Sequence, residues 1–569
     1  MSRRGKREAE KVKSKFFSKI IVVAIFLGLV YFVLKVAPNY VNTDISDKTN
    51  LVINNTNVTD VLKNDVIIES GVIYLSEDDI QNFFDPHIYY DEQYNQVITT
   101  TASQIASIVV GENAMTNNGN KVNISGTVIE RNNTRYIPFS SLKNIYNVEI
   151  NYINSSDTIT VDSLNEKYVT AESTEDNVIK SNPTYFSRVV DTLSAGEQVT
   201  VVQNNDNANN IIGDWVEVRT DAGKLGYIKK EELSNEIIER EKTIENKQIK
   251  GKVSMVWDYF TEYAYPPDRS GTDIQGINVV SPTFFTLVDE GKGKINQNAG
   301  EEGKKYIEWA HSNGYKVWPS LSNNSYIDTT SEIMHDYNLR QHLINNIISL
   351  VKEYNLDGIN IDFEYMYEAD KDLFSRFIIE LEPRLHELGA VLSVDVTAPD
   401  GSSEWSLCYD RYTIGQVADY IVFMGYDQNG AYSEEEGTNA GYDWVEANIE
   451  KFLGQEGVDS DKLILGVPFY VRVWKEKDGE TTNSAVNMND LDEIVPDNAK
   501  KVWVDSLKQY YIEYEKDGTV YKLWSEDEES ISAKLSLIQK YNLAGASFWA
   551  KDRETPSIWS VISQSLGVE

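Results

Sequence analysis

The stretch "LDGINIDFE", Leu356 to Glu364, reads as a short buried strand that carries three polar side chains. Successive side chains of an extended strand point to opposite faces, so Asn360, Asp362 and Glu364 project together while Ile359, Ile361 and Phe363 face the other way. Taking a carboxylate out of water is costly unless it is paired or hydrogen-bonded, which makes two acids on one inner face candidates for chemistry. Mutual repulsion raises the pKa of one member of such a pair. Glu364, nearest the strand's end and followed by Tyr365, is the candidate to hold a proton near neutral pH. A protonated carboxylic acid is what cleavage of a glycosidic bond requires.

Outward from this strand, apolar β-branched segments recur in order: "KVSMVWDYF" (252–260), "GINVVSPTFF" (276–285), "YKVWPSLS" (315–322), the opening stretch, "AVLSVDVTAP" (390–399), "DYIVFMGYD" (419–427), "KLILGVPFY" (462–470) and "LAGASFWA" (543–550). Amphipathic helices separate several of them, such as "LRQHLINNIISLVKEY", in which Leu343, Ile344, Ile347, Ile348 and Val351 share a face. Eight apolar strands alternating with helices predict a closed (β/α)8 barrel over 251–569 rather than an open doubly wound sheet. Asp362 and Glu364 then lie in the C-terminal half of the fourth strand, the end where barrel enzymes carry their active sites. His342 and His386 fall within helices and are assigned to surface or packing. The longest interval, before the last strand, holds two strand-like runs joined by "KDG"; a small β-rich insertion is expected at about 471–525, raising one wall of a groove.

The chain has 569 residues, a net charge of −36 and one cysteine, Cys408. Its acidity excludes a nucleic-acid partner, which needs a basic surface, and the lone cysteine excludes a disulfide framework or a cysteine-rich metal site. The acidic cluster of strand four has no histidine and is weakened by Asn360, so no metal or other cofactor is expected.

At the start, a basic tail (1–19) with eight Lys/Arg against two Glu precedes the apolar run Ile20 to Leu34, which extends through Ala37. That length is close to the ~17-residue minimum for a membrane span, with the basic side cytoplasmic. A single-pass anchor at 20–37 is expected, placing the remainder outside the membrane. A cleavable signal peptide and a secreted protein are the alternative, although "KVAPNY" is a poor cleavage site. Residues 38–60 read as a linker, with structure expected from near Val61.

From 61 to 162 the sequence repeats itself: "IYLSEDDIQNFFDPHIYYDEQYNQVITT" echoes "RYIPFSSLKNIYNVEINYINSSDTITV", each copy giving a strand, a helical turn and two strands. This α+β module resembles the copper amine oxidase N-terminal-like stalk domain, but its lone histidine, His87, is too few for a copper site and is read as structural. Residues 166–235 form short strands, and Trp215, Val218, Gly223, Gly226 and Tyr227 match the closing pattern of bacterial Src-homology-3-like domains, which this segment resembles. The resemblance implies either a spacer or a binder of cell-wall peptides, with Trp215 assigned to the core.

The barrel carries a more specific resemblance. "DGINIDFE" resembles the family 18 glycoside hydrolase signature D-G-x-D-x-D-x-E at Asp357, Gly358, Asp362 and Glu364, with Asn360 in place of the first inner aspartate. "FMGYD" resembles the same family's strand-six motif at Met424, Tyr426 and Asp427, and Trp549 falls where the family has a tryptophan floor. The resemblance implies a retaining, substrate-assisted hydrolysis of an N-acetylated glycan. Glu364 would be the acid, Asp362 would orient the acetamido group, Tyr426 would bond its carbonyl, and Asn360, Asp427 and Trp549 would bind substrate. The asparagine variant is closer to the spore and cell-wall N-acetylglucosaminidase branch than to secreted chitinases, so peptidoglycan is the expected glycan and chitin an alternative. A glycan-binding protein on a degenerate barrel is the runner-up, and retention of Glu364 separates the two. Trp257, Trp318 and Trp474 are assignable either to a sugar groove or to packing.

Overall fold

The computed structural model describes residues 21–30, 48–204, 208–243, 248–261 and 264–568, which divide into two compact units. In the larger unit, eight positions of parallel strand close into a barrel: Val253–Asp258, Val279–Pro282, a third strand broken into Lys316–Val317 and Ser320–Ser322, Gly358–Asp362, Val391–Val396, Tyr420–Met424, Leu463–Pro468 and Gly545–Trp549. The break in the third strand falls at Trp318 and Pro319; its first half pairs with strand two and its second half with strand four. Closure comes from strand eight, which pairs in parallel with strand seven and with strand one.

The helices follow from capped amphipathic segments. Tyr337–Tyr354 starts at Asp336, whose side chain accepts from Leu339 N, buries Leu343, Ile344, Ile347, Ile348 and Val351, and stops at Asn355 in the left-handed conformation. Gly300–Ser312, Lys371–His386, Arg411–Val417, Tyr442–Gly454 and Glu528–Lys540 complete the outer layer. The barrel departs from eight full repeats at its first crossover: between strands one and two the described residues contain no helix. The last helix, Ile558–Leu566, lies against that crossover, with Ser563 so close to Gly276 that a Cβ there would approach its backbone to 2.7 Å.

Inside the barrel, Met255, Trp257, Val279, Trp318, Val422 and Ile464 form a buried apolar layer. Trp318 stacks on Tyr420 at 5.6 Å and Trp474 is equally buried, so these two tryptophans are packing residues. The insertion is larger than the two runs read from sequence. Tyr470–Lys477, Glu480–Asn487, Lys500–Val504, Gln509–Lys516 and Thr519–Trp524 make a five-stranded antiparallel sheet with its own core of Val471, Val473, Ile512, Tyr514 and Leu523.

Each repeat copy forms the expected strand, helical turn and two strands: Val72–Ser76, Glu77–Phe83, Tyr89–Asp91 and Gln96–Thr101 for the first. The second runs Thr134–Ile137, Phe139–Leu142, Val148–Ile153 and Thr158–Ser163. The linker expected at 38–60 is corrected here. Asn50–Ile53 is a strand that pairs in parallel with Thr158–Val161, a contact across more than a hundred residues that local composition cannot signal. The following β-rich segment packs around Val169, Ile179, Val199, Val216, Val218 and Ile228. Trp215 is buried at its edge, meeting Tyr185 edge-on at 5.2 Å. Arg219 reaches Asp162 through two bonds of 2.8 and 2.7 Å, a buried bidentate pair.

Among the described residues no helix is long and apolar enough to cross a membrane. Of the anchor expected at 20–37, residues 21–30 are helical; the others, with the tail 1–19 and linker residues 38–47, lie outside the described residues.

Gly545 pairs with both Val253 and Ile464 at the closure, and a Cβ there would stand 1.9 Å from Val253 O. Backbone cannot yield as a flexible side chain does. Gly545→Ala is therefore expected to destabilise the barrel by about 3 kcal/mol or more, read as a lower urea midpoint for the barrel transition.

Candidate active site

Strand four is placed in register by its neighbours: Ser320, Leu321 and Ser322 lie opposite Asn360, Ile361 and Asp362, and Ser393 lies opposite Asn360 on the other side. Ile359, Ile361 and Phe363 are fully buried toward the helices, with the Phe363 ring 5.8 Å from Phe377 and 6.0 Å from Phe374. Gly358 is required because a Cβ would meet Trp318 at 2.6 Å and Val391 O at 2.7 Å. Asp357 takes no part in the mouth. Its carboxylate accepts from Lys316 Nζ at 2.8 Å and Val317 N at 3.0 Å and meets His311 Nε2 at 2.7 Å, at the strand's beginning.

The strand ends converge on a cavity of about 170 Å3 lined by Trp257, Asp362, Glu364, Asp395, Trp405, Met424, Tyr426, Asp427, Tyr470 and Trp549. Asp362 ends strand four and Glu364 follows two residues later, Met424 ends strand six with Tyr426 and Asp427 just beyond it, and Trp549 ends strand eight. Asn360 departs from expectation. It is wholly buried and does not line the cavity, because its donors go to Asp395 Oδ1 at 2.7 Å and Ser393 Oγ at 3.1 Å and its oxygen accepts from Trp257 Nε1 at 2.9 Å. It bonds strand five and not Asp362.

Four carboxyls, Asp362, Glu364, Asp395 and Asp427, line this space. Glu364 is held well above the ordinary glutamate range, first by burial and then by the negative charges of Asp362 and Asp427. Asp362 is also raised by burial, opposed by its hydrogen bonds with Glu364 and Ser320. Burial and the Asp362 charge raise Asp395, against the donation from Asn360. Burial and like charge thus disfavour the ionised form of Glu364, as an acid needs, and burial keeps the Tyr426 hydroxyl protonated as a donor.

The backbone on either side of the acid is clamped. Asn323 receives Glu364 N at 3.0 Å and donates to Glu364 O at 2.9 Å, and Tyr409 donates to Phe363 O at 2.7 Å. Tyr365 then adopts φ 53°, a left-handed conformation rare for an aromatic residue, with its ring 4.8 Å from that of Trp405. Across the cavity Asp427 is also left-handed at φ 57°; its carboxylate accepts from Tyr470 at 2.8 Å and faces Arg472 at 3.6 Å. Trp549 stands 5.7 Å from Trp257 and 5.5 Å from Tyr259. Asp552, just beyond it, is tied through Arg269 to Asp258 on strand one by bidentate bonds on both sides. Among the described residues no group of three or more His, Cys, Asp or Glu is arranged to hold a metal ion.

Such a site suits acid-catalysed attack on a sugar ring, and the sequence comparison agrees. Residues 255–554, more than half of the chain, match the family model for glycosyl hydrolases family 18. The chain belongs to that family. Residues 178–234 match the bacterial SH3 domain and residues 49–161 the copper amine oxidase N-terminal domain. Among family 18 relatives, the chain is 28% identical over 299 residues to the uncharacterized glycosylase YvbX of Bacillus subtilis strain 168, covering 50% of this chain and 84% of that protein. It is 24% identical over 257 residues to the cortical fragment-lytic enzyme of the same organism, covering 44% of this chain and 59% of the enzyme. It is 26% identical over 345 residues to the class V chitinase CHIT5 of Lotus japonicus, covering 53% and 84%.

Sequence reasoning did not find Asp395, Trp405, Tyr470 or Arg472 in this family 18 site. Asp395 was discoverable, as the lone acid on the inner face of an otherwise apolar strand, in phase with Ser393. Tyr470 and Arg472 alternate at the start of the inserted sheet, and Trp405 lies in a loop without periodicity.

Replacing Asn323 with Leu removes both bonds to Glu364 and leaves two main-chain groups unpaired. A loss of about 2 kcal/mol in chemical denaturation is expected, with kcat falling more than KM rises. Glu364→Gln has a pH signature. Between the ordinary value near 4.5 and the raised value of the fold, the folded protein binds more protons than the unfolded one, so wild-type stability falls as pH rises through that window. The amide lacks this loss. The Tm advantage of Glu364→Gln should grow upward from about pH 4.5 and level off above the folded pKa, by at most about 1.4 kcal/mol per pH unit.

Proposed function

We propose that this family 18 hydrolase cleaves β-linked N-acetylglucosamine in peptidoglycan or its fragments, with retention and with the substrate's own acetamido group as nucleophile. The observation that carries the reading is Glu364, a buried and protonated carboxyl beside Asp362, in a cavity walled by Trp549 and the Tyr426 hydroxyl. Substrate assistance removes the need for an enzymic nucleophile, an exception to the two-carboxylate rule.

In this reading Glu364 donates its proton to the leaving glycosidic oxygen as the acetamido carbonyl attacks the anomeric carbon. Asp362 accepts the acetamido N–H and opposes the oxazolinium charge, and Tyr426 donates to the attacking carbonyl oxygen. Water then opens the ring with Glu364 acting as base. Trp549 floors the distorted sugar, and Asp427, oriented by Tyr470 and Arg472, binds its hydroxyls.

The wall glycan is favoured over chitin by the relationship to a cortical fragment-lytic enzyme and by the two modules ahead of the barrel. The run at 20–37 is proposed as a single-pass anchor that leaves the barrel outside the membrane, with the modules as spacers. Cell-wall peptide binding would have to use a surface other than Trp215, which is buried.

Full-length protein in mild detergent should release new reducing ends from peptidoglycan, and proton NMR should detect the β anomer first. Glu364→Gln should lower the rate by about 10^2 to 10^4-fold while its circular dichroism stays unchanged. Equal activity in the mutant would remove Glu364 from the role of acid. Binding without hydrolysis of any N-acetylated glycan by the wild type would favour a lectin.

A further inference from the structure

Asp427 lines the cavity on a left-handed backbone, just beyond strand six, and a buried side chain twelve residues later grips it there. Asn439 is 1% exposed and does not itself line the cavity. Its side-chain oxygen accepts from Asp427 N at 3.3 Å, its amide donates to Tyr470 O at 3.2 Å, and its main-chain oxygen accepts from Gln428 N at 3.0 Å. Tyr470 donates its hydroxyl to Asp427 Oδ1 at 2.8 Å, which closes a ring of three residues. Behind that ring, Thr438 donates to Gln509 Oε1 at 2.6 Å and Gln509 donates to Glu526 Oε1 at 2.7 Å. Lys534 reaches both Glu526 oxygens, at 2.8 and 2.9 Å. Thr438, Gln509, Glu526 and Lys534 are all buried, and buried polar groups are costly unless bonded, so the chain they form fixes the segment that carries Asn439.

We propose that Asn439 is a positioning residue for the hydrolysis, holding the Asp427 carboxylate and the Tyr470 hydroxyl as one unit against the sugar. The proposal rests on the glycosidase reading above, in which Asp427 binds hydroxyls of the distorted ring. Left-handed backbone is uphill for an aspartate, and Asn439 claims the Asp427 N–H in that conformation. Its second bond grips the main chain of Tyr470, so the donor to the carboxylate and the backbone that bears the carboxylate are tied to one side chain. Tyr470 and Arg472 both engage Oδ1 of Asp427, which leaves Oδ2 for a sugar hydroxyl. Gln509 belongs to the inserted sheet and Lys534 to the helix Glu528–Lys540, so the insertion steadies this side of the site from behind as well as walling it.

The test is a double-mutant cycle on the full-length chain with a chromogenic N-acetylated chitooligosaccharide. Asn439→Leu makes neither side-chain bond, and its kcat/KM should fall about tenfold. Asp427→Asn tolerates the left-handed backbone but lacks the charge through which Asn439 acts, so in that background Asn439→Leu should cost less than about twofold. Asn439→Asp is the second variant and carries the test alone if the leucine variant does not fold. Its carboxyl can accept from Asp427 N at any pH but donates to Tyr470 O only while protonated, so its kcat/KM relative to wild type should fall as pH rises; Asp427, Tyr470 and Arg472 are the titratable groups around it. An equal loss in both backgrounds, or a ratio for Asn439→Asp that stays flat with pH, assigns Asn439 a structural role and overturns the proposal. Wild-type kcat/KM in a folded Asn439→Leu, with Glu364→Gln inactive, overturns it and leaves the glycosidase reading standing. An inactive wild type instead fails the glycosidase reading, and the proposal falls with it.

Discussion

Glu364 opens onto a cavity walled by Trp257, Trp405, Trp549, Tyr426 and Tyr470, with Asp362 two residues before it and Asp427 across from it. Few water molecules fit there, and the nearest charges are negative, so ionisation is opposed by desolvation and repulsion together. A carboxyl in solution is deprotonated at neutral pH and useless as an acid. The mouth of this barrel is arranged around the opposite condition, and its surrounding order exists to hold that unfavourable group in place.

The holding is done by short-range fits that run all the way round. Gly545 lets strand eight approach strand one closely enough to close the barrel, which sets Trp549 against Trp257. Arg269 ties the segment after Trp549 back to strand one. Asn323 mimics a peptide group and pins Glu364 after its strand has ended, where Tyr365 turns into the left-handed region. Left-handed backbone at Tyr365 and Asp427, both bulkier than glycine, stores local strain that only such over-determined surroundings maintain. Loss of any one contact is felt at the acid because packed interiors transmit displacement instead of absorbing it.

Much of this was legible because strand periodicity is strict. Alternation in "GINIDFE" placed Ile359, Ile361 and Phe363 toward the helices, and the structure has them there. The same alternation put Asn360, Asp362 and Glu364 on one face, but a shared face does not give shared depth. Asn360 is wholly buried and does not line the cavity, since depth is set by neighbouring strands. Asn50–Ile53 was hidden for a related reason: its partner is a strand some hundred residues away, and a four-residue run among asparagines and threonines carries no signal of its own. Trp405 sits in a loop, where side-chain direction follows tertiary contacts and has no period to read. The lack of a helix among the described residues of the first crossover was equally unreadable, because a helix from late in the sequence packs beside Gly276.

Asn360 shows what such depth means for chemistry. On strand four an aspartate at this position would bring a further carboxyl into the same column as Asp362 and Glu364. The asparagine instead spends its hydrogen bonds sideways, on Trp257 in strand one and on Ser393 and Asp395 in strand five. Asp395 brings a carboxyl to the site nonetheless, but from the neighbouring strand. An asparagine donates two hydrogens and an ionised aspartate none, so this exchange gives Asp395 a fixed donor and therefore a fixed orientation. Substitution at one inner position and an acid on the adjacent strand are two halves of one arrangement, and neither is interpretable without the other.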